Sequence, residues 1–370
     1  MNLFKFNIVT DPTALDSGQY INGAESIMWV ERYLEAGEFE IRAALSSGLR
    51  DFLPLGTLIS HIDTMEVMIV ENHQVVEDEE NDPSIVITGR SFDTYLENRI
   101  VGMNLARAGS TISEYILAAD YSSKQIVKMI NDHIVNPPAA ANDALTNVIA
   151  QTDLATIAGG VQDARTINRG NVSERARELL HVDDLGIRTI RRNTFGIGTG
   201  TSTQTIIDVY GGVDRTKTVM FSWKSGDFSR IEYLFTQKQQ KNSALVLGRY
   251  IWTTVDTGPF KYDRRIMIVP ADDLDGNLTA VPSGAALTAL LAKMVIRGRQ
   301  ALKEQHYVTL AGADLSNMSA YQYRKDYGLG DLVTLDANYQ NIITVRIVEY
   351  AEIEDESGYS GHPTLSLPGT

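Results

Sequence analysis

Apolar and polar positions alternate along the first hundred residues of the chain. Phe39, Ile41 and Ala43 alternate with Glu40 and Arg42, the period-2 signature of a half-buried strand. Ser26–Arg32 and Phe39–Leu45 flank Glu35-Ala36-Gly37-Glu38, which predicts a hairpin. Pro54-Leu55-Gly56 punctuates the chain before a strand over Thr57–Ile62. Glu66–Val76 is a second apolar, β-branched run, and Asp78–Pro83 is a solvated acidic loop. Ser84–Gly89 then reads as a short strand and Phe92–Ile100 as helical.

The period changes beyond about residue 105. Ile126, Val127, Ile130 and Ile134 form one stripe of a helix to about Val135, capped by Ser122 and stopped by Pro137-Pro138. Residues 143–170 carry little pattern. Asn171 or Ser173 starts another helix through Leu180, with Glu174 suited to its first turn. The pattern then returns to β: Gly186–Arg192, Thr205–Tyr210, Thr218–Trp223, Ser229–Phe235, Ala244–Val255 and Arg265–Pro270 are strand candidates. Ala285–Gln305 is the strongest helix, with Leu287, Leu290, Leu291, Met294, Val295 and Leu302 at helical spacing. Ile342–Tyr350 is a β-branched strand, and the Gly-, Ser- and Pro-rich Ser357–Thr370 reads as an extended arm.

The organisation that follows is α+β and β-rich, in four stretches. Residues 1–105 form a first β-rich region, 106–185 a helical middle and 186–284 a second β-rich region. Residues 285–370 add a helix and a C-terminal β region. Both ends contain a Leu-Gly turn before a strand, Leu55-Gly56-Thr57-Leu58-Ile59 and Leu329-Gly330-Asp331-Leu332-Val333, which raises the hypothesis of a duplicated barrel. The length, 370 residues, suits two or three domains at ~150 residues each. Hydrophobic residues make up 43% of the chain, enough for real cores.

Charge and cysteine content narrow the function. The 33 Lys and Arg residues face 47 Asp and Glu, a formal net charge of -14, and most basic residues are scattered. That balance argues against general nucleic-acid binding. The absence of cysteine removes disulfides, zinc–thiolate sites and thiol nucleophiles together. The N-terminus lacks a basic region followed by an apolar core, and no stretch is apolar for ~18 residues, so an aqueous compartment is expected.

Reactive motifs are sparse. Gly196-Ile197-Gly198-Thr199-Gly200-Thr201 lacks the Gly-Lys-Ser/Thr ending of a phosphate loop, so a loop between strands is the stronger reading. Asp272-Asp273-Leu274-Asp275-Gly276-Asn277 has no glutamate at calcium-loop distance and reads as an acidic turn. His61, His73, His133, His181, His306 and His362 include no His-x-x-x-His pair. A paired-carboxylate glycosidase would draw on Glu38, Glu40 and Glu66, none of which is marked out locally. No catalytic, cofactor-binding or metal-ligating residue is therefore assigned, and no cofactor is expected. The chain reads as a structural or scaffolding protein.

Three segments carry a family resemblance. The first is Trp29-Val30-Glu31-Arg32-Tyr33-Leu34-Glu35-Ala36-Gly37-Glu38-Phe39-Glu40-Ile41. The second runs through Gly56-Thr57-Leu58-Ile59, Met68-Ile69-Val70-Glu71, Ile85-Val86-Ile87-Thr88-Gly89-Arg90-Ser91 and Leu96-Glu97-Asn98-Arg99-Ile100. The third is Tyr323-Arg324-Lys325-Asp326-Tyr327-Gly328-Leu329-Gly330-Asp331-Leu332-Val333. Together they resemble the siphovirus tail proteins of the ReqiPepy type, which belong by fold with the central baseplate hubs of contractile tails. The resemblance spans roughly the first hundred and last fifty residues, and the chain lacks the peptidoglycan hydrolase or host-binding extension of longer members.

The resemblance implies a homotrimeric tail hub in the virion, at the distal end of the phage tail. Two tube-forming β-barrels per subunit, with helical insertions, would give a ring of six barrels. That ring would adapt a sixfold tail tube to a threefold spike or fibre and surround the DNA channel. The implied partners are the distal tail ring, the tape measure and the spike or fibre, with DNA passing only transiently and no membrane segment. An acidic lumen would repel DNA during ejection. The rival readings are a tail-associated wall hydrolase, a host-glycan-binding tail module and a shell component. Among single residues, Gly89 and Gly330 are expected to serve turns, Trp29, Trp223 and Trp252 a core or interface, and Asp326 and Asp331 turn caps in preference to interface partners. The loop Phe195–Thr203 is a candidate contact arm.

Overall fold

The structure, a computed structural model, describes residues 1–6, 18–77, 82–102, 115–137, 144–145, 148–152, 163–167, 170–192, 204–222, 224–231, 241–257, 263–271, 274, 280–304, 313–315, 320–336 and 342–366. The chain separates into two compact units: Met1–Ile231 with Gly312–Leu365, and Glu232–Ala311 with Ser366–Thr370.

The larger unit begins with β1 (Leu3–Phe6), β2 (Gln19–Tyr20), β3 (Ser26–Arg32), β4 (Glu38–Ala44), the short helix α1 (Leu49–Phe52), β5 (Leu58–His61), β6 (Val67–Val76) and β7 (Ser84–Ser91). It continues through β8 (Tyr115–Asp120), α2 (Ser122–Ile130), β9 (Val148–Thr152), β10 (Asp163–Ile167), α3 (Val172–Val182), β11 (Leu185–Arg192), β12 (Gln204–Gly211), β13 (Met220–Ser222) and β14 (Phe228–Ile231). The smaller unit holds β15 (Ser243–Leu247), β16 (Trp252–Asp256), β17 (Ile266–Pro270) and α4 (Gly284–Glu304). The chain then returns to the larger unit with β18 (Ala313–Leu315), β19 (Leu332–Asp336), β20 (Ile342–Asp355) and β21 (Gly358–Ser366).

One sheet joins the two ends of the sequence. Its order is β13-β19-β20-β3-β4-β7-β6-β5-β1-β2, with β21 also on β20. The junction is the antiparallel pairing of β20 with β3, from Glu349 opposite Arg32 to Glu354 opposite Ile27. Up to Ser366 the region read as an arm is therefore a strand: Gly358, at φ +116°, turns the chain so that β21 pairs with β20, and residues 367–370 lie outside the described residues.

Alternation along β5 and β6 explains how the sheet is buried. Leu58, Val67 and Ile69 face one core, while Ile59, Met68 and Val70 face another. The second core is filled by the sheet itself, around Trp29, Phe39, Ile41, Ile85 and Ile87. The first is covered by α2, α3 and the three-stranded sheet β11-β12-β9. Residues Leu58–His61 and Val67–Val70 are consequently buried on both faces.

The helices follow their stripes. Ile126, Met129, Ile130 and Ile134 are buried, and Val127 packs partly against them. The expected Ser122 cap is corrected: Tyr121 holds the cap position without a side-chain bond, and Ser122 is the first helical residue, buried. The last turn, Asn131–Val135, is a π-turn. Asn171 does cap α3, its Oδ1 accepting from Ser173 N at 2.8 Å. Phe92–Asn98 is a 3₁₀ stretch.

In the smaller unit the Ala244–Val255 run is two strands, not one. Gly248 N bonds Ile251 O at 2.9 Å and closes a hairpin between β15 and β16. Helix α4 packs Leu290, Met294 and Leu302 on Ala244, Val246, Val255 and Val269. Leu287, Leu291 and Val295 of the expected stripe are half-buried. No helix among the described residues is long and apolar enough to cross a membrane.

Gly89 is corrected from a turn residue to a strand residue. It lies within β7, and an added Cβ would fall 1.8 Å from Ile69 O and 2.6 Å from Phe39 Cε1. Only a residue without a side chain lets β6 and Phe39 approach this closely. We expect Gly89→Ala to lower unfolding stability by about 1–3 kcal/mol, measured by urea denaturation; an unchanged midpoint would refute this packing.

Candidate functional site

Strand β3 ends in Glu31 and Arg32, and Tyr33 follows directly; these side chains organise the cavity of the larger unit. Tyr33 donates to Asp184 O at 2.6 Å and accepts from Gly212 N at 3.2 Å. Its ring is walled by two glycines: a Cβ on either Gly186 or Gly330 would lie 2.3 Å from Tyr33 Cε2. Gly212 and Gly330 also touch, since a Cβ on Gly212 would stand 1.7 Å from Gly330 O. Tyr33 thus pins β11, the end of β12 and the turn before β19 to one point.

Beside this lock lies a cavity of about 340 Å³. Its lining includes Glu31, Asp63, Glu66, Arg188, Tyr210, Arg215, Tyr323, Arg324, Tyr327 and Asp331. The carboxylate of Glu31 accepts three hydrogen bonds, from Trp29 Nε1 at 3.1 Å, Tyr323 OH at 2.8 Å and Arg324 Nη2 at 3.1 Å. Arg324 Nη2 also reaches Glu352 Oε1 at 2.7 Å. Glu66 takes a long contact from Ser91 Oγ, 3.4 Å, while Ser91 Oγ accepts from Gly37 N at 2.8 Å. On another wall Arg188 holds Asp208 Oδ2 through Nε and Nη2 at 2.9 and 2.7 Å. Asp331 collects Val213 N, Gly328 N and Arg215 Nε at 2.8, 2.9 and 2.6 Å.

Three buried carboxyls, Glu31, Glu66 and Glu352, thus surround a single guanidinium, Arg324. Removal from water and repulsion from neighbouring carboxyls disfavour the charged forms of Glu66 and Glu352. Burial, reinforced by Glu31, pushes Glu66 well above the ordinary carboxyl range. Burial raises Glu352 to about 7 against the opposing pull of Arg324. Burial likewise raises Asp93 to about 6. His61 Nε2 lies 3.4 Å from Glu352 Oε2, yet burial and the Arg324 charge lower the imidazole to about 4. Near neutrality that contact is therefore not an ion pair.

Backbone strain gathers at the same place. Among the described residues three non-glycines have positive φ: Met65 at 59°, Asp184 at 52° and Arg324 at 69°. Met65 precedes Glu66, Asp184 receives the Tyr33 hydroxyl, and Arg324 lines the cavity. Each such conformation costs on the order of 1–3 kcal/mol and persists where surroundings over-determine it.

The residues singled out in the sequence scatter around this site. Of Glu38, Glu40 and Glu66, only Glu66 enters the cavity; Glu38 pairs with Arg32 and Glu40 with Arg42 nearer the surface. Asp331 caps the Gly328 turn, and Asp326 accepts from Gln322 N at 2.8 Å, both as turn caps. Gly330 serves its turn at φ +84°. Trp29 is fully buried, whereas Trp252 is exposed. His73 meets Leu53 O at 2.7 Å, and His133 accepts from Gly102 N at 2.8 Å. No group of three metal-ligating side chains occurs among the described residues. The Gly196–Thr201 motif, the Phe195–Thr203 arm, Trp223, His306 and the Asp272–Asn277 stretch apart from Leu274 lie outside the described residues. Sequence reasoning missed Glu31, Glu352 and Arg324 as a group. The available signal was their motif context: all three resemblance segments reach this cavity, through Glu31 and Arg32, through Ser91 on Glu66, and through Tyr323, Arg324 and Asp331.

The model of the Siphovirus ReqiPepy6 Gp37-like protein family matches residues 8–365. The chain belongs to that family. The resemblance read from the two ends of the sequence thus extends through the middle. No curated protein matches this Gp37-like chain. Its fold is similar to that of three solved tail proteins. A 43 kDa tail protein of prophage MuSo2 from Shewanella oneidensis has a TM-score of 0.58 at 12% identity, covering 100% of this chain and 98% of that one. A tail protein from Neisseria meningitidis MC58 has a TM-score of 0.55 at 10% identity, with 98% and 95% covered. Prophage tail protein gp18 from Listeria monocytogenes has a TM-score of 0.52 at 11% identity, with 98% and 94% covered.

Two pH responses follow from the cluster. From the ordinary glutamate range up to about pH 7 the folded chain keeps a proton on Glu352 that the unfolded chain has released. Stability therefore falls with rising pH across that window, by on the order of 3 kcal/mol at this site. His61 acts oppositely: the unfolded imidazole binds a proton below its ordinary value of 6.5 while the folded one stays neutral down to about 4. We expect Glu352→Gln to flatten the alkaline-side loss in urea midpoints between about pH 5 and 8. An unaltered slope would show that the carboxyl does not carry it.

Proposed function

We propose that this Gp37-like chain is a structural component of a phage tail tip, acting as a trimeric central hub around the DNA channel. The observation that carries the reading is the family match over residues 8–365. The fold shared with three tail proteins along nearly their whole lengths supports it. In this reading the hub adapts a sixfold tube to a threefold spike or fibre, since a duplicated barrel in each of three subunits presents six similar surfaces.

Local equivalence of the two Leu-Gly turns supports the duplication. Gly56 and Gly330 have φ of 83° and 84°. Gly56 N bonds Val70 O at 2.8 Å and Val70 N returns to Thr57 O at 2.9 Å. Gly330 N bonds Ile347 O at 2.8 Å and Ile347 N returns to Asp331 O at 3.1 Å. Each turn leads into a strand paired antiparallel with the next, β5 with β6 and β19 with β20.

The site chemistry favours a structural over a hydrolytic use. Glu31 accepts from three donors and is also bonded to Glu66, and Glu38 and Glu40 are tied in ion pairs. A glycosidase acid–base pair needs two carboxyls free to face one sugar bond. The partners in this reading are neighbouring tail proteins, and DNA passes only transiently.

Solution mass with negative-stain imaging tests the hub. A ring of about 122 kDa, three times 40.8 kDa, is expected, with interfaces on the order of 2,000 Å². A monomer that stays monomeric when co-expressed with adjacent tail proteins would sink the reading, as would release of soluble fragments from peptidoglycan.

A further inference from the structure

Arg191 is the one buried arginine among the described residues, at 5% exposure. Arg32, Arg188, Arg215 and Arg324 each meet a carboxylate. Arg191 meets none among the described residues. Its Nε donates to Ser60 Oγ at 3.0 Å, and its guanidinium lies 4.1 Å from the centre of the Phe4 ring. Those contacts leave both Nη groups without a described partner. Burial lowers the guanidinium to about 10, and Tyr20 is the charge partner that opposes the fall. A buried cation stays costly until a negative charge balances it.

The strand registers show what surrounds it. Tyr20, Phe4, Ser60 and Val67 form one row across β2, β1, β5 and β6 of the large sheet. Arg191, Thr205 and Val148 form a second row across β11, β12 and β9 of the three-stranded sheet. Thr189 lies two residues from Arg191 on the same face of β11. Thr189 and Thr205 are both buried, and neither hydroxyl has a hydrogen-bond partner. Phe6, Leu58, Ile187 and Ile207 continue the same layer as the first core. A cation and two orphaned hydroxyls thus gather at one end of an apolar layer.

Charge and size define what completes this group. A water molecule supplies an acceptor but no charge. An acidic side chain or a phosphodiester brings a tether, and a guanidinium so deeply buried leaves no path for one. A single-atom anion accepts from N–H and O–H donors in any direction and balances the guanidinium. We propose that Arg191, with the hydroxyls of Thr189 and Thr205, binds one small inorganic anion of chloride size between the two sheets. The anion ties β11 to β1 and β5 and offsets the buried charge. The site needs only the larger unit and is independent of the hub reading.

The test melts the full chain in sodium chloride and in sodium gluconate at equal ionic strength, gluconate being too large for the site. With a dissociation constant of ~1–10 mM, ~100 mM chloride should raise the melting temperature by about 3–8 °C over gluconate, and the gain should saturate. Arg191→Met removes the cation and keeps an apolar stem, so it should fold and lose the gain. Arg50→Gln, on the surface, should keep it. Crystals of the natural chain grown in bromide give a readout that needs no variant: an anomalous peak beside the Arg191 guanidinium is expected. Equal melting in the two salts, an undiminished gain in Arg191→Met, or bromide bound only as an adventitious ion elsewhere would overturn the site.

Discussion

One guanidinium compensates more buried negative charge than it can neutralise. Arg324 arrives on a strained left-handed residue and touches both Glu31, on β3, and Glu352, on β20. Those strands are sheet neighbours although more than three hundred residues separate them in sequence. A buried carboxylate stripped of its cation costs several kcal/mol. The pairing of the two ends of the chain and the position of Arg324 therefore depend on each other, and the protons on Glu66 and Glu352 relieve what the guanidinium leaves over.

The strands around this cluster were largely legible in the sequence. Period-2 alternation over Phe39–Ala43 and β-branching over Ile342–Tyr350 report directly on a pleated, half-buried surface. Two kinds of error have physical causes. Ala244–Val255 reads as one strand because its apolar positions continue through a tight hairpin. Ser357–Thr370 reads as an arm because glycine, serine and proline usually mark loops, yet Gly358 here turns a hairpin and β20 satisfies the next strand's backbone.

The site was less legible than the fold. Glu31 and Glu40 are both strand glutamates beside an apolar residue, but Glu40 pairs with Arg42 while Glu31 lines the cavity. What separates them is which sheet face the distant Tyr323-Arg324 turn covers, and no local window contains that information. Gly89 shows the same limit. Its value lies in the 1.8 Å that a Cβ would leave to Ile69 O, a property of the opposite strand. The family resemblance marked the right segments without showing that they converge.

Strand β20 has a mechanical meaning as well. It runs for fourteen residues, its first part laddered to β19 and its later part to β3, with β21 as a further neighbour. A pull along this strand loads those ladders in shear, so that many hydrogen bonds resist at once instead of opening one after another. A protein that must keep its shape while a tail transmits force would gain stiffness from such a strand.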